Sequence, residues 1–248
     1  MSPSVSVHLL PVFFSPDELR GGTAVVIDVL RASTTIAQAL SAGAESVVPC
    51  IDVEEAKQKA ANFSANSYLL GGERRGVKIE GFDLGNSPLE YTPERVAGRT
   101  ILFTTTNGTK ALKRCEEAKR ILIGCFANLD AVVEVLSNSE RPAHLVCAGT
   151  DGKISAEDPI CAGAMLASLE KRRAEDIVTT NDSNRIAYEW FAKHSAKADT
   201  LLTALRNSAG GRNLIDLGYD ADIEWAAKLN RLSVVPEYHR ETGRITIN

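Results

Sequence analysis

The chain has no GxxxxGKS/T phosphate loop and no GxGxxG turn, so nucleotide binding loses its main supports. Its five cysteines form no CxxC pair and are odd in number, which argues against a secreted disulfide framework and fits a reducing cytoplasm. The four histidines, at positions 8, 144, 194 and 239, show no metal spacing, which disfavours a zinc site. No apolar stretch approaches the roughly 18–20 residues that span a bilayer. The opening MSPSVSVHLLPVFF lacks a basic leader and is broken by prolines, so neither a membrane span nor a signal peptide is expected. Charge excess is small, 28 basic against 32 acidic residues for a formal net charge of -4. No general field therefore attracts nucleic acid or an anionic membrane, and any anion must be held locally.

What is present is the composition of an ordinary folded globule, 248 residues with 44% hydrophobic and 24% charged. That length holds one large core or two smaller ones. No linker or low-complexity tract divides it, so residues 1–248 read as a single two-lobed unit, the lobes intertwined and without a clean boundary. Three segments share one plan, an apolar run, a polar stretch rich in hydroxyls or acids, then a helix-like stretch: Ala24–Leu40, Thr100–Leu112 and His144–Leu169. Each places small donors and carboxylates where a strand hands over to a helix, the end of an α/β sheet at which ligands usually bind. The pattern predicts an α/β fold of βα units with an anion site.

Buried strands are predicted at Ala24–Val29, Val47–Cys50, Ile101–Phe103, Arg120–Cys125 and Leu145–Ala148, after an opening strand over Val5–Phe14 that Pro11 interrupts. Nothing in AVVIDV alternates before Asp28, as in a strand covered on both faces. Helices are predicted from Ser33, over Asp52–Ser64 behind a capping acid, from Thr109 through Glu117, over Ala127–Ser137 and from Pro159. Ser87-Pro88-Leu89-Glu90 has the pattern of a capping box and predicts another helix start. Gly71 to Asn86 reads as the longest loop, functional or mobile at such length. Val178–Thr180 reads as one more short strand. From Asp182 the pattern is helical, over Arg185–Ser195, Leu201–Asn207 and Asp222–Leu229, with a break at Gly210-Gly211. Val234–Tyr238 and Ile245–Ile247 about Gly243 predict a terminal hairpin. Asp28–Cys50 and Thr104–Cys125 form a loose internal repeat.

Asp28 ends a buried strand, where a carboxylate has to be paired, hydrogen-bonded or bound to a cation; the plainer reading is a cap for the next turn. Arg31 and the hydroxyls of Ser33, Thr34 and Thr35 follow, a set that suits a phosphate with its metal. A haloacid-dehalogenase-type phosphatase needs a second acid two residues after the aspartate, and that place holds Leu30. Thr104 to Thr109 offers four hydroxyls, the Asn107 amide and a glycine that admits close backbone approach, or else simply caps its helix. Glu73 sits beside Arg74 and Arg75 in the glycine loop, where charge runs are usually only solvated. Asp158 before Pro159 reads as an N-cap, which accounts less well for Glu157. Two carboxylates at a helix start repel a phosphate unless a divalent cation lies between them. That condition predicts magnesium, held by one or two carboxylates, substrate phosphate and waters. Cys161 is either a dipole-activated thiol or, with more weight, a small buried hydrophobe.

VIDVLRASTTI (26–36), GGERRG (71–76), GFDLGNSP (81–88), TTTNGTKAL (104–112) and EDPICAG (157–163) together resemble the 2-phosphosulfolactate phosphatase family. The resemblance spans about residues 24–165 and fits only loosely around Asp222 and Val235-Pro236. It implies a three-layer α/β/α architecture and a magnesium-dependent hydrolysis of 2-phosphosulfolactate to sulfolactate and inorganic phosphate, a step associated with coenzyme M synthesis. The matching positions are Asp28, Arg31, Ser33, Thr34, Glu73, Arg74, Asn86, Ser87, Thr105, Thr106, Asn107, Glu157, Asp158 and Cys161.

On that reading Asp28, Glu73, Glu157 and Asp158 hold Mg2+, while Arg31 with Ser33, Thr34, Ser87, Thr105, Thr106 and Asn107 binds the substrate. Arg74 with Asn86 reads its carboxylate and sulfonate. Attack by a metal-activated water is preferred to a phosphoenzyme on Asp28 or Cys161. The expected partner is a small anionic phospho-acid, with no nucleic acid and no membrane, and a homodimer is left open. A phosphatase for another 2-phospho-acid, or a non-catalytic binder of small phosphorylated or sulfonated acids, are the alternatives. The binder leaves four carboxylates without a common purpose.

Overall fold

The computed structural model describes residues 3–174, 177, 181–194 and 198–247. In chain order these form β1 (Val5–His8), β2 (Thr23–Ile27), α1 (Ala32–Ser41), β3 (Ser46–Pro49), α2 (Val53–Ala60), β4 (Tyr68–Arg74), β5 (Val77–Lys78), α3 (Pro93–Val96), β6 (Thr100–Thr104) and α4 (Gly108–Arg114). There follow β7 (Arg120–Gly124), α5 (Leu129–Ser137), β8 (Ala143–Cys147), α6 (Glu157–Arg173), α7 (Asp182–His194), α8 (Ala198–Asn207), α9 (Ala209–Asp216), α10 (Asp220–Ala226), β9 (Glu237–His239) and β10 (Arg244–Thr246). The fold is mixed α/β, and the strands join in one sheet of order β1-β8-β2-β7-β9-β10-β3-β6-β4-β5.

Every residue of β2 is buried, and its side chains alternate between two cores. Val25 and Ile27 pack with Val132 of α5 and Leu166 of α6, whereas Ala24 and Val26 pack with Ala39 of α1 and Leu112 of α4. An unbroken apolar run thus serves a strand with both faces covered.

Within the sheet β1, β8, β2 and β7 are mutually parallel, as are β3, β6 and β4. The terminal hairpin, found where its turn glycine placed it, stands between these groups. β9 meets β7 at Leu122↔Glu237 and β10 meets β3 at Ile245↔Val47, both antiparallel. Arg120 binds Glu237 through two hydrogen bonds of 2.9 and 2.7 Å. Val26 and Ile123 of one group share a single core with Val47 and Phe103 of the other.

Several expectations need correction. The opening strand stops at His8, because Pro11 begins a 3-10 turn over Pro11–Phe13. The glycine stretch is no open loop. β4 runs on through Gly71-Gly72 beside β6 and turns back at Arg75-Gly76 into β5. Pairing with β6 supplies what the side-chain-free glycines could not signal.

Ser87-Pro88-Leu89-Glu90 makes only a 3-10 turn. Its box is not closed, because Ser87 donates to Asp222 and Glu90 accepts from the Gly85 amide. Gly210 and Gly211 lie inside α9, capped by Ser208, and do not break it. A Cβ on Gly211 would sit 1.9 Å from the Leu205 carbonyl oxygen, so close packing accounts for that glycine. The strand expected at Val178–Thr180 lies outside the described residues. No described helix is long and apolar enough to cross a membrane.

Candidate functional site

The turn from β2 into α1 is closed on itself. The Asp28 amide donates to Ser33 Oγ at 2.9 Å, Ser33 Oγ donates to the Val26 carbonyl, and Thr34 Oγ1 donates to the Val29 carbonyl. Both hydroxyls are therefore turned to the backbone, and the first amide of α1, at Ala32, donates to Asp28 Oδ1. What this turn presents outward is the Asp28 carboxylate and Arg31.

Asp28, Arg31, Glu73, Asn86, Thr105, Thr106 and Asn107 line one cleft of about 360 Å³, within the usual size range for small-molecule sites. Glu73, at the end of β4, accepts from the Thr106 amide at 2.7 Å and the Gly76 amide at 2.7 Å. It thereby ties the Thr104–Asn107 turn to the β4–β5 hairpin. Gly72 allows this approach: it has φ +138°, and a Cβ there would lie 2.0 Å from the Thr104 carbonyl oxygen. Gly72→Ala is expected to lower the unfolding free energy by about 2–4 kcal/mol, measured by urea titration, and to cost activity by moving Glu73. A change below 1 kcal/mol would contradict the packing.

Burial raises the Asp28 pKa to about 7; the Ala32 amide and Arg31 oppose this, while Glu157 and Glu73 add to it. Burial also raises Glu157, against the Ser155 and Ser208 hydroxyls. Asp158 is raised well above the ordinary carboxylate range by burial and by the charges of Glu157 and Asp28. The cleft thus presents the Asp28 and Glu73 carboxylates, with the buried acids Glu157 and Asp158 behind Asp28 adding to its negative charge. Arg31 does not cancel that charge, because its guanidinium is bound to Asp222 at 2.6 Å and to the Gly76 carbonyl at 2.6 Å.

Other expected site residues stand apart from the cleft wall. Asp158 does not cap its own helix, which starts one residue earlier at Glu157. Its two oxygens instead accept the Val29 and Gly149 amides at 2.8 and 2.9 Å, joining the ends of β2 and β8. Glu157 accepts from Ser155 Oγ behind that wall. Arg74 is turned away, donating to the Ile51 carbonyl and Thr104 Oγ1. Ser87 is bound to Asp222 Oδ1 at 2.6 Å. Cys161 is fully buried in the apolar core of α6, and burial pushes its thiol well above the ordinary value, which leaves it no path to a substrate.

The oxygen donors that remain suit a hard cation. Asn86 Oδ1 is buried with no hydrogen-bond partner among the described residues, and Asn86 lines the cleft together with Asp28 and Glu73. Among the described residues no three His, Cys, Asp or Glu side chains gather as a ready metal cage, so the four-carboxylate set is not assembled. Asp28, Glu73 and Asn86 are the groups that could hold a divalent ion together with substrate and water.

Sequence reasoning overlooked Arg75, Asp151, Gly210 and Asn213, which also line the cleft, and Asp222 behind Arg31. One signal existed for Asp222: it shares the buried face of α10 with Ile223 and Ala226, and an acid there requires a partner.

The profile of the 2-phosphosulpholactate phosphatase family matches residues 11–241. Proteins named "Probable 2-phosphosulfolactate phosphatase" are similar along nearly the whole length. One from Symbiobacterium thermophilum is 45% identical over 222 residues, 90% of this chain and 93% of the relative. One from Caldanaerobacter subterraneus subsp. tengcongensis is 40% identical over 220 residues, 89% of each chain. A third, from Carboxydothermus hydrogenoformans, is 39% identical over 241 residues, 96% of each chain. With a family profile covering nearly all of the sequence and relatives this similar along it, the chain belongs to the 2-phosphosulfolactate phosphatase family.

Proposed function

We infer that the protein is a magnesium-dependent phosphatase that hydrolyses 2-phosphosulfolactate to sulfolactate and inorganic phosphate. Family membership and the names of the relatives support the reaction. The observation that carries the metal requirement is the cleft floor: Asp28 is buried among acids, and Asn86, whose Oδ1 has no hydrogen-bond partner among the described residues, lines the same cleft. A phosphate dianion could not approach such a floor without a cation between them. The five free, buried cysteines suit action in a reducing cytoplasm, and sulfolactate or coenzyme M metabolism is the pathway that the reaction suggests.

Asp28, Glu73 and the Asn86 carbonyl would hold Mg2+, which when bound supplies positive charge against the phosphoryl oxygens. The protein's own part is orientation. Arg31 carries five N–H donors, of which the structure engages two, so its fixed guanidinium has donors left for a phosphoryl oxygen. Thr105 and Thr106 border the same space, and Thr106 Oγ1, buried without a partner among the described residues, has its hydroxyl to donate to an anion. A bound cation would hold Asp28 ionised, so its pKa of about 7 belongs to the metal-free cleft and Asp28 would serve here as a ligand.

The test is phosphate release from 2-phosphosulfolactate by enzyme stripped with EDTA and then given MgCl2. Release is expected to fall at least about tenfold on stripping and to return with magnesium. Undiminished release by the stripped enzyme would remove the metal, and no release under any condition would remove the phosphatase.

A further inference from the structure

The second arginine of the GGERRG stretch is the unusual one. Arg75 and Gly76 are the two central residues of the β4–β5 hairpin, with φ +53° and +81°, the arrangement of a type I′ turn. Such turns favour Asn, Asp or Gly at the first position because side chains crowd the left-handed backbone. An arginine there is disfavoured for the turn itself. It nevertheless lines the cleft, and a strained residue at the rim of a site points to a role for its side chain.

Charge gives that role a direction. The cationic side chains lining the cleft are Arg31 and Arg75. Arg31 is neutralised by Asp222 in a buried pair. Arg75 is exposed and has no hydrogen-bond or ion-pair partner among the described residues, whereas Arg74 is bound to Ile51 and Thr104. Asn213 of α9 lies against the same turn, since a Cβ on Gly76 would come within 3.1 Å of its amide nitrogen.

We propose that Arg75, with Asn213 beside it, binds the sulfonate of the substrate and so selects sulfonated 2-phospho-acids over their uncharged-tail analogues. This rests on the phosphatase reading above. 2-Phosphosulfolactate carries phosphate, carboxylate and sulfonate on three adjacent carbons, so with the phosphate at the acidic floor the remaining anions face the rim. A planar guanidinium donates two parallel hydrogen bonds to such a group.

The test compares kcat/KM for 2-phosphosulfolactate and 2-phospholactate, which has a methyl group in place of the sulfonate-bearing carbon. Arg75→Asn is the informative variant, because Asn-Gly is a favoured type I′ pair and the hairpin keeps its fold while losing the charge. The ratio of the two kcat/KM values is expected to fall about tenfold to a hundredfold, chiefly through KM for the sulfonated substrate, and Arg75→Lys to retain part of it. An unchanged ratio in Arg75→Asn, or equal losses on both substrates, overturns the proposal. Calorimetric binding of sulfolactate against lactate needs no turnover. If the wild type releases no phosphate, the phosphatase reading fails, yet loss of the sulfonate preference in Arg75→Asn still supports Arg75 and its retention still overturns it.

Discussion

Asp28→Asn is expected to reduce phosphate release by about a thousandfold or more while making the metal-free protein more stable above neutral pH. The two effects share one cause. Asp28 is buried at the cleft floor, and burial together with Glu157 and Glu73 raises its pKa from 3.8 to about 7. A raised folded-state pKa means that the folded protein binds the proton more tightly than the unfolded chain. Below about pH 4 both states are protonated and the carboxyl costs nothing. As pH rises toward 7 the unfolded state ionises first and stability falls, and above 7 the full cost is present. Asparagine removes it, so the variant should gain on the order of a few kcal/mol at pH 8 and almost nothing near pH 4. Denaturant titrations of wild type and variant at both pH values, in EDTA, read this directly. Added magnesium should narrow the difference by stabilising the wild type. Equal stability at pH 8, or near-normal turnover by the variant, would take Asp28 out of the site.

Asp28 was legible because a charged residue closing an unbroken apolar strand is costly wherever it lies. Arg31 and the Thr105–Asn107 turn came into view as anion donors where a strand hands over to a helix, Glu73 and Asn86 through the resemblance to the family, and all of them converge on one cleft. Spacing could not reveal which way a hydroxyl faces. Ser33 and Thr34 stand beside Asp28 in sequence yet close the turn on its own backbone. Nor does composition distinguish Arg74 from Arg75; only the hairpin pairing of Glu73 with Lys78 and Arg74 with Val77 sends one to the β6 end and the other to the rim. Gly72 and Gly211 misled for a common reason. Glycine signals a break when read locally, whereas here each admits another segment's backbone at a distance that excludes a Cβ. The contributions of α9 and α10 were hidden because they reach the site through tertiary packing, with Asp222 lying 191 positions from its partner Arg31.

That distant contact carries the second large effect. The Arg31–Asp222 pair has an N–O distance of 2.6 Å, with side chains only 3% and 2% exposed. Ser87 Oγ donates to the other Asp222 oxygen, and the Tyr219 ring stacks 4.4 Å from the guanidinium. Asp222 therefore acts on Arg31 as a positioning residue, and α10 is joined to the β2–α1 turn through it. Removing one partner of a buried pair leaves the other charge uncompensated, a loss of about 3–5 kcal/mol, so Asp222→Ala should unfold at markedly lower urea concentration. Replacing both partners by apolar groups, Arg31→Met with Asp222→Leu, should recover much of that stability, but not the activity, since the cleft then has no arginine at its floor. In Asp222→Asn, where the shape is kept and the charge lost, an unanchored Arg31 should affect kcat more than KM if it orients the phosphoryl group in the transition state. A double variant as unstable as Asp222→Ala would show that packing rather than charge joins α10 to the site. Full activity in Asp222→Ala would show that Arg31 needs no such anchor.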